Sequence, residues 1–174
     1  SPYAWQKSAI EDIIKILCDL RGLDAVSLRY FNVFGPGQFG GSAYSTAISA
    51  WCHAIKTGSP LRKDGSGEQS RDMCYIDNVV QANILAMTTD NEKCFGEAFN
   101  IGAGGKFSIL YLFNTLKDII DFKGGPNFGP LRFGDIPHSN ADINKAKTYF
   151  NYNPPVEFEE GIKNTVQYFI RNKN

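Results

Sequence analysis

The stretch from Ile10 to Phe34 constrains this chain more than any other. Ile10, Ile13, Ile14, Leu17 and Leu20 recur at intervals of three and four, the spacing that gathers apolar side chains on one stripe of an α-helix. Ser1 supplies a cap and Pro2 suits the first helical position. Arg21 and Gly22 supply a cation and a left-handed stop at the other end. A helix is therefore predicted over residues 2–20, with its apolar stripe buried. Residues 25–34 are dense in β-branched and aromatic side chains and read as one strand, closed by Gly35-Pro36-Gly37. A long helix feeding a strand through a short turn is half of a βαβ unit, and such units build parallel α/β sheets.

The rest of the chain continues the alternation. Helices are predicted over residues 44–56, 78–88 with Asp77 as cap, 108–120 with Ser108 as cap, 142–150 and 157–170. Strands or extended pieces are predicted at residues 61–63, 71–76, 97–102 and 131–135. The glycine- and proline-rich runs at residues 64–70 and 122–130 read as loops. The early strand and helix are strong enough for a large sheet, and the smaller later elements suggest a satellite lobe. The expected division is residues 1–40 and residues 41–174, with interleaving of elements allowed.

Composition narrows the function classes. The 174 residues carry 18 basic and 18 acidic side chains. This balance argues against a polyanion binder, whose affinity comes from clustered basic residues. No apolar run reaches the roughly 20 residues that span a bilayer. Cys18, Cys52, Cys74 and Cys94 lie far apart with no CxxC pair and read as free thiols of a reducing, cytoplasmic compartment. His53 and His138 have no partner at ligand spacing, so no metal is expected.

One pair invites chemistry. Tyr3 and Lys7 are four residues apart on the first helix, hence neighbours on one face. A lysine ammonium about 5 Å from a phenol, at an effective dielectric of about 20, favours the phenolate by about 3 kcal/mol. That makes the tyrosine a candidate general base. The same spacing also describes an ordinary solvated helix face.

The wider pattern resembles a known family. "SPYAWQKSAIE", followed by "LRYFNVFGPGQ", "GSGEQSRDMCYIDNVVQAN", "EAFNIGAGG" and "LRFGDIPHSNADINKA", is similar in order and spacing to the extended short-chain dehydrogenases/reductases. Within that family it looks most like the UDP-sugar 4-epimerases, particularly those acting on UDP-N-acetylhexosamines. The resemblance covers nearly the whole chain. It implies an α/β fold: the C-terminal part of a Rossmann-type parallel sheet plus the small substrate-binding lobe. The glycine-rich half that seats NAD at a helix N-terminus is not in this sequence. "GAGG" at Gly102 to Gly105 lacks the GxGxxG spacing and reads as a plain βα turn. The expectation is the C-terminal half of a longer enzyme, inactive by itself.

The resemblance also implies roles. Tyr3 would take the proton of the sugar 4-hydroxyl while hydride passes to NAD. Lys7 would hold the nicotinamide ribose and favour the Tyr3 phenolate. Phe31 would line the nicotinamide. Asn32 would contact the substrate diphosphate, with a turn-initiating amide as the alternative role. Arg71 and Arg132 would clamp that diphosphate through planar, paired hydrogen bonds, and Asp135 would accept from the uridine ribose. Arg62 and Asp64 fall where the family lays a strand against uracil, mostly through backbone. The lysine between them, Lys63, departs from the apolar residue usual there. Ser45 and Thr46 match a diphosphate-proximal stretch, and helix-start chemistry describes them as well. Ser139 matches a gate beside the sugar. A small residue there leaves room for an acetamido group, and a helix cap is the alternative role. Asp72, Tyr30 and Val33 read as structural.

By resemblance, the partners are a UDP-sugar, the absent Rossmann half, and a second subunit in a homodimer whose interface includes the first helix. Two other readings stand beside the epimerase: a 4,6-dehydratase or decarboxylase of the same family, and a non-catalytic module that binds a nucleotide sugar or a partner.

Overall fold

Helix α1 (Pro2–Arg21) begins and ends where its caps dictate. The Ser1 hydroxyl accepts from the Ala4 amide at 3.3 Å. Gly22 takes the left-handed conformation, φ 65°, and its amide donates to the Cys18 carbonyl at 3.1 Å. The computed structural model describes residues 1–41, 45–130, 134 and 136–172. Within these, the expected burial of the α1 stripe is not met: α1 has no buried residue, and Ile13 and Leu20 are 56% and 75% exposed. Helical periodicity reports that one face is apolar; it does not supply the surface that covers it. Among the described residues, α1 meets the rest of the chain through Glu11 and Arg29, through Cys18 and Ala25 O, and at the turn of Gly96, where an added Cβ would lie 3.4 Å from the Cys18 Cβ.

Arg29 lies in β1 (Ser27–Tyr30), which pairs in parallel with β6 (Ala98–Ile101). The single strand expected over residues 25–34 is in fact two. The Phe31 amide still donates to Ile101 O at 2.9 Å, but the Asn32 carbonyl accepts from the Cys74 amide at 3.1 Å. From there β2 (Val33–Phe34) runs parallel to β5 (Cys74–Tyr75). Backbone groups must be bonded wherever water is excluded, so the chain exchanges one ladder for another within two residues. The run 71–76 is likewise divided, into β4 (Ser70–Arg71) and β5, with Asp72 and Met73 between.

The β2–β5 pair is the wall between two cores. Side chains alternate across a strand, and Met73 and Tyr75 enter one cluster while Cys74 enters the other. The first core lies between α2 (Ala47–Thr57), α4 (Ile109–Ile119) and α6 (Phe158–Arg171). Phe158, Ile162 and Val166 recur every four residues along α6 and are all but fully buried, each such side chain contributing about 1.5–3 kcal/mol. The second core joins β1 and β6 to α3 (Ile76–Thr88) and α5 (Asn144–Phe150). The remaining elements are β3 (Arg62–Asp64), a short 3-10 turn (Glu92–Cys94), β7 (Phe107–Ser108), β8 (Asn127–Gly129) and β9 (His138–Ser139). β3 pairs in parallel with β8, and β4 lies between β7 and β9.

Several boundaries moved for identifiable reasons. Helix α2 begins at Ala47 because Thr46 is its cap, accepting from Ser49 N at 3.4 Å. Asp77 does not cap α3; Tyr75 holds that position with no side-chain bond and Asp77 sits in the first turn. Ser108 caps α4 as expected, accepting from Tyr111 N at 3.0 Å. β8 falls in a run expected to be loop, since its pairing with β3 is what makes it a strand. Tyr30 is half exposed, its hydroxyl donating to Asn83 Oδ1 at 2.9 Å, and so is not core. Among the described residues no helix is long and apolar enough to cross a membrane. All four cysteines are free, and burial pushes the Cys52 thiol up to about 12 and Cys74 to about 11.

Candidate active site

Asn32 stands at the residue where the strand leaves β6 for β5. In open α/β sheets, ligands bind outside the carboxyl ends of strands where the order changes. Here a cavity of about 310 Å³ opens, lined by Asn32, Ser45, Thr46, Arg62, Lys63, Asp64, Gln69 and Arg71, with Trp51, Met73 and Ile109 as apolar floor. Six of the residues nominated from sequence are therefore gathered on one cavity: Asn32, Ser45, Thr46, Arg62, Asp64 and Arg71.

Each is held by its own element. Asn32 donates through Nδ2 to the Asp72 carbonyl at 3.2 Å, tying the β1–β2 break to the link between β4 and β5. Ser45 donates to Phe39 O at 3.1 Å, and Thr46 to Gln38 Oε1 at 3.1 Å. Arg62 and Asp64 project from the same face of β3 and form an ion pair, Nε to Oδ1 2.7 Å. They cross above Gly129, where a Cβ would lie 2.3 Å from Asp64 Oδ1, so β3 and β8 approach this closely because residue 129 has no side chain. The Trp51 indole donates to the Arg62 carbonyl at 2.7 Å and fixes β3 against α2. Arg71 donates to Ser70 O at 2.8 Å. Lys63 is buried, its ammonium bonded to the Ser66 carbonyl and 4.6 Å from the Phe128 ring centroid. Among the described residues the lining sets Arg62 and Arg71 against Asp64, while the Lys63 ammonium is engaged elsewhere; the positive surplus suits a phosphate-bearing ligand.

Asp72, next to Arg71, is fully buried. Its carboxylate accepts from Ala103 N and Gly104 N at 2.9 Å and from Ala141 N at 3.3 Å. Burial pushes this carboxyl above its ordinary range, and the three amides pull it part of the way back. The Gly102–Gly105 loop is thus packed on a carboxylate of this chain. A Cβ at Gly102 would sit 2.6 Å from Asp72 Oδ2, which accounts for a glycine there.

Among the described residues, the other nominated ones lie apart from the cavity lining. Tyr3 and Lys7 share one face of α1, with the Lys7 ammonium 5.5 Å from the Tyr3 ring centroid and Tyr3 69% exposed. Phe31 is half-buried against the second core. Ser139 lies in β9, in register with Arg71, and its carbonyl accepts from Asp72 N at 2.8 Å. It is not a helix cap, since α5 starts five residues later. Arg132 and Asp135 lie outside the described residues. Sequence reasoning passed over Trp51, Gln69, Met73 and Ile109 as cavity residues. Trp51 carried a usable signal, because a buried indole needs an acceptor.

The model of the NAD dependent epimerase/dehydratase family matches residues 1–102. The chain belongs to that family. It is 33% identical over 99% of its length to a putative UDP-glucose 4-epimerase of Methanocaldococcus jannaschii, of which it covers 54%. Among solved structures it is similar to the UDP-glucose 4-epimerase of Thermotoga maritima with UDP-glucose (TM-score 0.91, 36% identity, 100% of this chain and 55% of that one). It is also similar to the UDP-N-acetylglucosamine 4-epimerase of Methanobrevibacter ruminantium M1 in complex with UDP-N-acetylmuramic acid (TM-score 0.90, 37% identity, 98% and 54%). The chain spans about half the length of the relatives it matches. The expected α/β class with parallel strand pairing is the one found.

Proposed function

We propose that this chain is the substrate-holding, C-terminal part of an NAD-dependent UDP-sugar 4-epimerase that interconverts UDP-N-acetylglucosamine and UDP-N-acetylgalactosamine, and the plain hexose pair as well. The observation that carries the reading is the cavity at the β1–β2 break, where two amides, two hydroxyls, two arginines and a carboxylate converge. Arg71 and Asn32 hold the diphosphate, with Ser45 and Thr46 beside it. Arg62 and Asp64 flank the uracil, and Arg132 and Asp135 complete the diphosphate and ribose contacts. Ser139, one strand from Arg71, borders the sugar and leaves space for an acetamido group. The division at about residue 40 separates sheet elements from this lobe, with later elements interleaved.

Tyr3 takes the proton from the sugar 4-hydroxyl and returns it after the sugar has turned its other face. Lys7 keeps a positive charge beside that phenol, and with Phe31 borders the nicotinamide side. The exposed, shared face of Tyr3 and Lys7 fits a ribose and a sugar hydroxyl meeting there. Bound NAD supplies a reversible hydride acceptor. Its main berth belongs to the part of the relatives that this chain does not span.

Calorimetry tests the division of labour: UDP binds this chain and NAD does not. Binding of NAD alone, or of neither, overturns the reading. Turnover tests the substrate. The full-length enzyme interconverts the N-acetylated pair, and turnover of UDP-glucose with none of the acetylated substrate removes the role given to Ser139.

A further inference from the structure

The Glu11 carboxylate and the Arg29 guanidinium meet in two parallel hydrogen bonds, Nε to Oε1 2.7 Å and Nη2 to Oε2 2.5 Å. Glu11 is on α1 and Arg29 on β1. Among the described residues this is the ion pair that joins α1 to the sheet. Packing fixes the helix only in part: no α1 residue is fully buried, and Ala9, Ile14 and Cys18 are half-buried. Its second tether is Cys18, whose Sγ lies 3.6 Å from Ala25 O, too weak a bond to set a rotation. A two-point, charge-assisted bond is directional and defines both the rotation and the axial position of what it holds. The Arg29 guanidinium also holds the Glu11 carboxyl below its usual range.

The two tethers work as a ruler. As the sequence number falls from Cys18 to Glu11 on α1, its partner rises from Ala25, two residues before β1, to Arg29 within it, so helix and strand are antiparallel. From Glu11, a further eight residues toward the start of α1 reach Tyr3, a rise of about 12 Å. From Arg29, three extended residues, through the end of β1, reach Asn32, about 10 Å in the same direction. Tyr3 is therefore brought level with the β1–β2 break and the cavity mouth. Rotation agrees. Tyr3, Lys7 and Glu11 are spaced by four, and each step turns the helix by only about 40°. Pinning Glu11 to β1 therefore keeps Lys7, about 40° away, and Tyr3, about 80° away, on the half of the helix surface that faces the strand.

We propose that Glu11 and Arg29 are positioning residues of the reaction: their ion pair sets the distance and angle at which Tyr3 and Lys7 face a ligand in the Asn32–Arg71 cavity. The inference rests on the function proposed above. Neither residue lines that cavity, so their loss leaves UDP affinity alone while it misplaces the base. A misplacement near 1 Å costs up to about a hundredfold in rate.

The test uses the full-length enzyme and the variants Glu11→Gln, Arg29→Lys and the exchanged pair Glu11→Arg/Arg29→Glu. Expected are a fall in kcat of about tenfold or more for each single variant, KM and UDP affinity within twofold of wild type, and recovery of most of kcat in the exchanged pair. Single variants that keep kcat within twofold overturn the inference and leave the proposed function standing. A loss of kcat matched by an equal loss of UDP affinity, or by melting below the assay temperature in both Glu11→Gln and Arg29→Lys, also overturns it, because the pair is then merely structural. A wild-type enzyme with neither UDP binding nor turnover removes both proposals.

Discussion

Asp72→Ala is the perturbation that the structure makes most quantitative. The carboxylate is fully buried and accepts from three backbone amides on two separate segments, at Ala103, Gly104 and Ala141. Removing it orphans all three donors, at about 1–3 kcal/mol each. Two effects reduce that total. Water enters the vacated space and satisfies part of the loss, and the variant no longer buries a charge, which is the larger influence on this carboxyl. The net destabilisation is about 3 kcal/mol, and UDP affinity falls as well, because Arg71 and the Asn32 contact to Asp72 O lose their support. Urea unfolding followed by circular dichroism reads the first effect, as a lower midpoint at unchanged slope. Asp72→Asn keeps one acceptor oxygen and costs about half as much. The pH dependence has a definite sign. Burial raises the folded Asp72 value above 3.8. Below that value the carboxyl is protonated in both states; as pH rises through the folded value, the native wild type must ionise a buried group. Wild type then loses stability that the Asn variant does not, and the cost of Asp72→Asn is largest at acid pH and shrinks toward neutrality. A cost for Asp72→Ala under about 1 kcal/mol would refute the view that these amides depend on the carboxylate.

Other outcomes follow from the same geometry. Gly102→Ala sets a Cβ 2.6 Å from Asp72 Oδ2 and 2.7 Å from the Ala141 Cβ, and costs about 1–3 kcal/mol in urea unfolding; in the Asp72→Ala background it costs less, a coupling that a double-mutant cycle measures. Trp51→Phe removes the donor to Arg62 O, lowers stability by about 1 kcal/mol and weakens UDP binding by calorimetry, since β3 is freed from α2. Glu11 and Glu97 are held below 4.5 by hydrogen bonds from Arg29 and Lys145, so their contributions are present above that value and disappear as pH falls through the depressed folded values. Acid titrations of Glu11→Gln and Glu97→Gln are correspondingly flatter than that of wild type.

Much of this architecture is local and was legible. The ends of α1 follow from Ser1 and Gly22 and the start of α4 from Ser108, because caps act between neighbours in the chain. Family resemblance supplied the names of six cavity residues, yet nothing in their spacing brings Asn32, Thr46, Arg62 and Arg71 together.

Tertiary structure decided what depends on distant partners. Strand run 25–34 breaks after Phe31 because Ile101 and Cys74 compete for adjacent peptides, and residues 127–129 are a strand because β3 lies beside them. Lys63 is buried where its chemistry predicts exposure, since a carbonyl and an aromatic face receive its ammonium. The apolar stripe of α1 was plain in the sequence, and its exposure was not. Periodicity records which side chains prefer to leave water, whereas burial requires a second surface, and that surface is set by contacts remote along the chain.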